Sequence, residues 1–148
     1  MRLVDADILS YALFKKHNAH PFCWPVLLSA VHGKTRVAIT IVTLLETYHA
    51  LVNDYLVDPK EAHFKLDGLS RSRRIVFIPT TVEIVRKALE IAENHNARSF
   101  DANVIASAEV NGITVIMSND RHIQRLCRER NLILENPVPE NVRSAMKM

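Results

Sequence analysis

The clearest folding signal in the chain lies in residues 99–121, which read SFDANVIASAEVNGITVIMSNDR. Small and apolar residues recur with helical spacing after Ser99, and Asn111-Gly112 is a typical helix end. The next segment, Ile113–Met117, is apolar and β-branched, which predicts a buried strand. Asp120 then precedes a second helical pattern. A helix, a strand and a helix in succession are typical of an α/β fold.

The same alternation extends over the rest of the chain. Short apolar segments predict further strands at Leu3–Val4, Val37–Ile39, Ile75–Ile78 and Leu132–Leu134, with helical patterns between them. Strands separated by helices imply a three-layer α/β/α sandwich around a central, mainly parallel sheet of four or five short strands. We expect residues 1–148 to form a single domain, with an irregular tail from about residue 137, where two prolines interrupt the pattern.

Composition excludes several classes of protein. The 148 residues are 48% hydrophobic and 24% charged, as in ordinary globular proteins. No apolar stretch approaches the ~18 residues needed to cross a bilayer, and the acidic residue at position 5 does not fit a signal peptide. The two cysteines are isolated, so neither a zinc quartet nor a disulfide framework is expected. These features predict a cytoplasmic protein without a membrane segment, and the net charge of +3 is compatible with a polyanionic partner.

Four acidic residues stand near predicted helix starts, and three of them directly follow a predicted strand. They are Asp5, Glu46, Asp101 and Asp120. Ligands of parallel sheets bind outside the carboxyl ends of the strands, where we expect Asp5, Glu46 and Asp120 to lie. Carboxylates gathered in one place repel each other and need divalent cations to neutralise them. The pattern therefore predicts a metal-dependent enzyme, with Asp7 as a fifth ligand or as a hydrogen-bond acceptor behind the ligands.

Each acid also has a purely structural interpretation. Asp5 or Asp7 can cap the first helix, and Asp120 can cap the helix that follows it. Thr43–Glu46 fits a capping box, in which the Glu reaches back to the first backbone N–H groups. Asp101 lies in a first helical turn, where the helix dipole favours an anion. These interpretations weaken when the acids are taken together, because helix caps need not be acidic.

Four short motifs, in a fixed order, carry a resemblance to a known family. They are Asp5-Ala6-Asp7-Ile8-Leu9, Ile41–Glu46, Phe100–Ala108, and Ser118-Asn119-Asp120-Arg121 after a strand. In this order they resemble PIN-domain ribonucleases, in particular the VapC-type toxins of prokaryotic toxin–antitoxin pairs. The third motif is the most specific and is similar to the family's Asp-Ala-x-Ile-Ala-Ala pattern. One departure is that Ala6 and Asp7 stand where the family usually has a hydroxyl residue followed by Asn or Ser.

The resemblance implies an endoribonuclease that depends on Mg²⁺ or Mn²⁺ and hydrolyses RNA phosphodiester bonds. Its catalytic and metal-binding residues would be Asp5, Glu46, Asp101 and Asp120, with Asp7 as a further metal ligand and Ser118 as an auxiliary residue that binds water or phosphate. One or two ions would activate water and stabilise the leaving oxygen. Besides RNA, the expected partners are an antitoxin protein and a second copy of the chain in a homodimer.

Basic residues supply candidate RNA contacts. Arg71, Arg73 and Arg74 form one cluster, and Arg121 and Arg125 begin the helix next to Asp120. Contacts of this kind bind phosphates and carry little sequence information. The competing interpretation is that both clusters are solvated surface.

Three other functions agree with parts of the pattern. One is a PIN protein that processes RNA without being a toxin, and another is an RNA-binding PIN scaffold without activity. The complete set of four acids argues against an inactive scaffold. The third is a haloacid dehalogenase-like phosphatase, which also begins with a strand and a motif like Asp5-Ala6-Asp7. That class needs a lysine in a set position, and no convincing lysine accompanies Asp120.

Overall fold

The computed structural model describes residues 1–146, and within them it contains five strands and eight α-helices. The strands are β1 (Arg2–Val4), β2 (Val37–Thr40), β3 (Val76–Ile78), β4 (Val115–Met117) and β5 (Ile133–Glu135). The helices are α1 (Ala6–Leu13), α2 (His20–Val31), α3 (Ile41–His49), α4 (Pro59–Ser70), α5 (Val82–His95), α6 (Ser99–Val110), α7 (Arg121–Glu129) and α8 (Glu140–Met146). Helix α3 continues into a wider, π-helical turn at Ala50–Asp54. None of the helices in residues 1–146 is long and apolar enough to span a membrane.

The five strands form one parallel sheet in the order β3-β2-β1-β4-β5. Strand β1 lies between β2 and β4, so that Leu3 stands opposite Ala38 on one side and Ile116 on the other. The predicted parallel sheet of four or five short strands is therefore confirmed. Because β2 and β4 lie on opposite sides of β1, the chain order of the sheet reverses at β1.

Helices cover both faces of the sheet, which confirms the predicted three-layer α/β/α architecture. Successive side chains of a strand point to opposite faces. Along β1, Leu3 packs into a core formed with α5, α6 and α7, whereas Val4 packs into a second core with α1, α2 and α4. Both residues are almost fully buried, so the strands contribute to both cores and leave only their ends for function.

The expected irregular tail from about residue 137 is wrong for most of its length. Residues 137–139 are non-helical, but Glu140–Met146 forms α8, and residues 147–148 lie outside the described range. Val142 and Met146, spaced one helical turn apart, pack against the core that contains Val4. The helix forms because this apolar pair gains burial there, and Glu140 lies in its first turn, where the helix dipole favours an acid.

Candidate active site

The carboxyl ends of β1 and β4 form the centre of the candidate site. These strands are neighbours, and the chain order of the sheet reverses between them. A reversal of this kind leaves a crevice between the segments that follow the two strands, and such crevices bind ligands. Asp5 directly follows β1, and Asp120 lies just before α7, after β4. The strand order thus brings to one crevice two acids that are 115 positions apart in the sequence (120 − 5).

Asp5 is the most enclosed acid of the crevice, with 8% of its surface exposed. It caps α1, because one carboxylate oxygen accepts a hydrogen bond from the Ala6 N–H at 2.8 Å. The other oxygen accepts a hydrogen bond from the Ser118 hydroxyl, also at 2.8 Å. Burial raises the pKa of Asp5 to about 6 in spite of these hydrogen bonds, and repulsion from Asp120 and Asp101 adds to the rise. Asp5 is therefore a buried carboxylate that a nearby cation would stabilise.

Ser118 is completely buried and connects two of the acids. Its hydroxyl donates to Asp5, and the same oxygen accepts a hydrogen bond from the Asp120 N–H at 3.0 Å. The predicted auxiliary contact with water or phosphate is not what the structure shows, because a hydroxyl with 0% exposure faces Asp5 and not the open cleft. Ser118 acts on the site by orienting Asp5.

Asp7 connects the start of α1 to the loop after β4. One of its carboxylate oxygens accepts a hydrogen bond from the Ile8 N–H at 2.7 Å, and the other accepts from the Asn119 N–H at 2.9 Å. Burial and the charge of Asp5 raise the pKa of Asp7 well above its usual value. Of the two roles predicted for Asp7, these hydrogen bonds favour the acceptor behind the ligands.

Asp120 and Asp101 each lie at the start of a helix. Asp120 caps α7, since one of its oxygens accepts hydrogen bonds from the His122 and Ile123 N–H groups at 2.7 and 3.2 Å. Asp101 lies in the first turn of α6. The other oxygen of Asp120 and one oxygen of Asp101 face the guanidinium of Arg98, which donates to Asp101 at 2.8 Å and to Asp120 at 3.5 Å. The structural roles expected of these acids are present, and they leave an oxygen of each acid available to a cation.

Glu46 reaches the crevice from α3. Thr40 caps this helix by accepting a hydrogen bond from the Thr43 N–H at 3.1 Å, so the predicted capping box at Thr43–Glu46 does not form. Burial, followed by repulsion from Asp5 and Asp101, raises the pKa of Glu46 to about 7. The π-helical turn after α3 also borders the site, and turns of this type are frequent at functional sites.

The five predicted acids line one cleft of about 450 Å³, together with Asp54 and His49. Arg98 is the single Lys or Arg in the lining of this cleft within residues 1–146. Carboxylate oxygens are the hard ligands that Mg²⁺ and Mn²⁺ prefer, so the donor set fits these ions. As they stand, however, no three acidic, His or Cys side chains of the described residues are gathered closely enough to hold an ion. Ion binding would therefore need side-chain movement within the cleft.

A larger cavity of about 710 Å³ lies between α2 and α4. Trp24, Leu27 and Leu28 contribute to its mainly apolar lining, which contains no carboxylate among the described residues. The carboxylates that the sequence singled out line the smaller, acidic cleft, so we assign the candidate active site to that cleft.

The structure separates one group of predicted RNA-contact residues from this cleft. Arg71, Arg73 and Arg74 lie between α4 and the start of β3, at the amino edge of the parallel sheet. The acids lie at the carboxyl edge. Arg71 pairs with Asp67 at 3.1 Å, and Arg74 donates to the His32 carbonyl at 3.3 Å.

The other predicted arginines differ from each other in their surroundings. Arg125 donates to the His95 carbonyl at 2.8 Å and pairs with Glu129, so it connects the end of α5 to α7. Arg121 is the first residue of α7 and is exposed. Arg98, which contacts two of the acids, was not singled out by the sequence. The available signal was its position three residues before Asp101, a spacing common among surface ion pairs.

The raised pKa values predict how the metal-free protein responds to pH. A carboxyl group whose pKa is higher in the folded state stabilises that state fully below its unfolded pKa, and this contribution is lost as the pH rises through the folded pKa. With folded values of about 7 for Glu46 and about 6 for Asp5, the loss should fall between roughly pH 4 and pH 7. Urea unfolding in EDTA across this range should therefore show a smaller loss of stability for Glu46→Gln than for the wild type. Glu83→Gln, at an exposed position of α5, serves as the control. An unchanged pH dependence in Glu46→Gln would contradict the assigned environment of Glu46.

Comparison with solved structures shows the same fold in other proteins. VapC20 of Mycobacterium tuberculosis, described as a sarcin–ricin loop cleaving toxin, is similar with a TM-score of 0.71 and 18% identity, over 84% of this chain and 94% of that chain. A toxin–antitoxin complex from Klebsiella pneumoniae is similar with a TM-score of 0.59 and 17% identity, over 81% of this chain and 87% of that chain. VapBC2 of Rickettsia felis, bound to a promoter DNA fragment, is similar with a TM-score of 0.64 and 18% identity, over 91% of this chain and 97% of that chain.

Comparison of the sequence identifies the family. The sequence has no significant match among curated protein sequences. The family model of the PIN domain matches residues 2–129, which include β1 to β4, α1 to α7 and every acid of the cleft. The motifs that carried the resemblance lie inside this match. The chain therefore belongs to the PIN-domain family.

Proposed function

We propose that this protein is an endoribonuclease that hydrolyses RNA phosphodiester bonds with Mg²⁺ or Mn²⁺. The observation that carries the proposal is the cleft in which Asp5, Glu46, Asp101 and Asp120 converge within a PIN-domain fold. A divalent ion at such a site supplies Lewis acidity, which activates water and polarises the phosphate. Family membership leaves the phosphatase alternative without support.

The side chains of the cleft have separate proposed roles. Asp5, Glu46, Asp101 and Asp120 are the proposed ligands, and Asp5 is held in position by Ser118. We assign Asp7 to positioning, because both of its oxygens accept backbone hydrogen bonds, one from Ile8 in α1 and one from Asn119 in the loop before Asp120. A positioned set of carboxylates loses less freedom when an ion binds, which favours binding and catalysis.

RNA would reach the cleft along exposed cations at the carboxyl edge of the sheet. Arg121 is our first proposed phosphate contact, because it is exposed and adjoins Asp120. Arg125 is already bonded to backbone carbonyls and Glu129, so its proposed part is to hold α7. Arg71, Arg73 and Arg74 stay proposed contacts for an RNA long enough to pass from one edge of the sheet to the other.

The biological setting that we propose is a toxin–antitoxin pair. The similar structure described as a toxin–antitoxin complex supports an antitoxin protein as a partner. A homodimer and a cytoplasmic location are further parts of this proposal, and they rest on the family resemblance and on composition. The alternative is a PIN nuclease that processes cellular RNA without being a toxin, and the effect of expression on host growth distinguishes the two.

A circular single-stranded RNA tests the proposed activity directly, because only an internal cut can open a circle. We expect linear products with Mn²⁺ or Mg²⁺, no products in EDTA, and recovery when metal is restored. Asp58→Asn is a suitable control, because Asp58 caps α4 outside the cleft and Asn is an equally good cap. Intact circles with metal present, or equal cleavage in EDTA, would exclude the proposed reaction.

A further inference from the structure

Arg98 places a cation among the acids of the cleft. Its Nε donates to Asp101 at 2.8 Å, and a terminal nitrogen donates to Asp120 at 3.5 Å. The guanidinium thereby bridges the starts of α6 and α7, and it is the one Lys or Arg among the cleft-lining residues of the described chain. The same two carboxylates are proposed metal ligands, so Arg98 and a metal ion compete for them.

The ion pairs between Arg98 and these two acids can be broken at little cost in stability. The side chain of Arg98 is 61% exposed, and partly exposed ion pairs contribute little to stability. Arg98 precedes α6 without capping it through its side chain. Both acids keep other favourable contacts when Arg98 leaves, because Asp120 caps α7 and Asp101 lies near the positive end of the α6 dipole.

The charge of the cleft favours exchange for a divalent ion. Six acids line the cleft, namely Asp5, Asp7, Glu46, Asp54, Asp101 and Asp120, against one guanidinium. A divalent ion supplies twice the charge of Arg98 and coordinates carboxylate oxygens directly. Because the backbone of Arg98 lies at the start of α6, a displaced guanidinium stays near the cleft. Its planar set of donors matches a phosphate group.

We propose that Arg98 is an exchangeable counter-cation of this site. Without a metal ion, its guanidinium pairs with Asp101 and Asp120 and partly offsets their charge. When the ion binds, it displaces Arg98, which then binds a phosphate of the RNA. This inference rests on the proposed nuclease function, and it adds an order of events: the phosphate contact of Arg98 forms only when metal is bound.

The first test measures metal affinity without any cleavage. Calorimetric titration with Mn²⁺ should show tighter binding to Arg98→Ala than to the wild type, by about three- to tenfold, as expected when two partly exposed ion pairs no longer compete. Arg98→Lys should lie between them, since it keeps the charge but lacks the fork of donors. Arg2→Ala, which removes a partly exposed arginine paired with Glu135, should bind Mn²⁺ like the wild type. Thermal unfolding of each variant confirms that it is folded.

The second test measures whether Arg98 contacts a phosphate of the bound RNA. Binding of a labelled single-stranded phosphorothioate RNA is followed by anisotropy over a salt series, in Mn²⁺ and in EDTA, and gels confirm that the RNA stays intact. In Mn²⁺, Arg98→Ala should lower the magnitude of the log–log salt slope by about 0.7, which corresponds to one phosphate contact on a single strand. In EDTA the slopes of wild type and variant should agree, because Arg98 is then bound to the acids.

The outcomes separate this inference from the nuclease proposal. If the wild type binds Mn²⁺ but Arg98→Ala binds it equally or more weakly, Arg98 does not compete with the ion and only this inference fails. An equal loss of slope in Mn²⁺ and EDTA would make Arg98 a permanent phosphate contact and would also overturn the exchange. If the wild type itself does not bind Mn²⁺, the metal-dependent nuclease proposal fails and this inference fails with it.

Discussion

Replacing Asp101 by Asn should lower metal-dependent RNA cleavage by at least about 100-fold, because residues that only support metal ligands already cost about 10- to 100-fold when changed. Asp101 lies in the most family-specific motif, and in the structure it faces the Arg98 guanidinium, as Asp120 does. Asn keeps the size of the side chain but removes the negative charge that a divalent ion needs. If the protein is a toxin, the same substitution should also abolish growth arrest on expression.

The fold should tolerate this substitution, which makes the result interpretable. Asp101 is only partly buried, and removing one of several mutually repelling acids relieves electrostatic repulsion. Initial cleavage rates with Mn²⁺, together with thermal unfolding of the metal-free protein, measure the two effects separately. Asp58→Asn gives the rate of a protein that has lost an acid outside the cleft. Wild-type cleavage by folded Asp101→Asn would remove Asp101 from the proposed set of ligands.

Mg²⁺ or Mn²⁺ should raise the melting temperature of the wild type by roughly 5–10 °C at a concentration about 100 times the Kd. A ligand that binds only the folded state adds about 2.7 kcal/mol at that concentration. Each kcal/mol shifts the melting temperature by roughly 2–4 °C in a chain of this size. The cleft should produce this effect, because burial and mutual repulsion already raise the pKa of Asp5 and of Glu46.

The double variant Asp5→Asn/Asp120→Asn should lose most of this thermal shift. Asn is the appropriate replacement because Asp5 caps α1 and Asp120 caps α7, and Asn caps helices as well as Asp does. A double Ala variant would lose both helix caps, so the effect of losing the caps could not be separated from the effect of losing metal binding. Asp58→Asn, a third cap position that lies outside the cleft, should keep the full shift. An equal shift in the double variant and the wild type would mean that these acids serve only as helix caps.

Local patterns in the sequence predicted most of the elements and five of the six acids in the cleft, but not Asp54. Asp5 and Asp120 were predictable because each follows an apolar strand and precedes a helix, and this pattern depends on near neighbours alone. Helix α8 was not predicted, because its stability depends on packing of Val142 and Met146 against a core formed by distant parts of the chain. The capping box at Thr43–Glu46 was not formed because Thr40, three residues earlier, caps the helix instead.

The roles of the arginines depended on the tertiary structure. Arg71, Arg73 and Arg74 form an obvious basic cluster, but the parallel direction of the sheet places them at the edge opposite the acids. Arg98 has no distinctive sequence pattern, since an Arg three residues before an Asp is common on helix surfaces. Its importance appears only when Asp101 and Asp120, which belong to different helices, are both found next to its guanidinium.

The sequence by itself predicted the α/β class, the parallel sheet and the acids Asp5, Asp101 and Asp120, because hydrophobic period and helix-start chemistry are local properties. It also singled out Glu46, but the structure places this residue in the second turn of α3 and not at the start of the helix. The tertiary structure decided the strand order, which places β1 between β2 and β4 and so brings Asp5 and Asp120 to one crevice. It also decided that Ser118 orients Asp5 and that Arg98 reaches Asp120. Such contacts join residues that are close in space through long-range packing, and the spacing of neighbours along the chain carries no record of them.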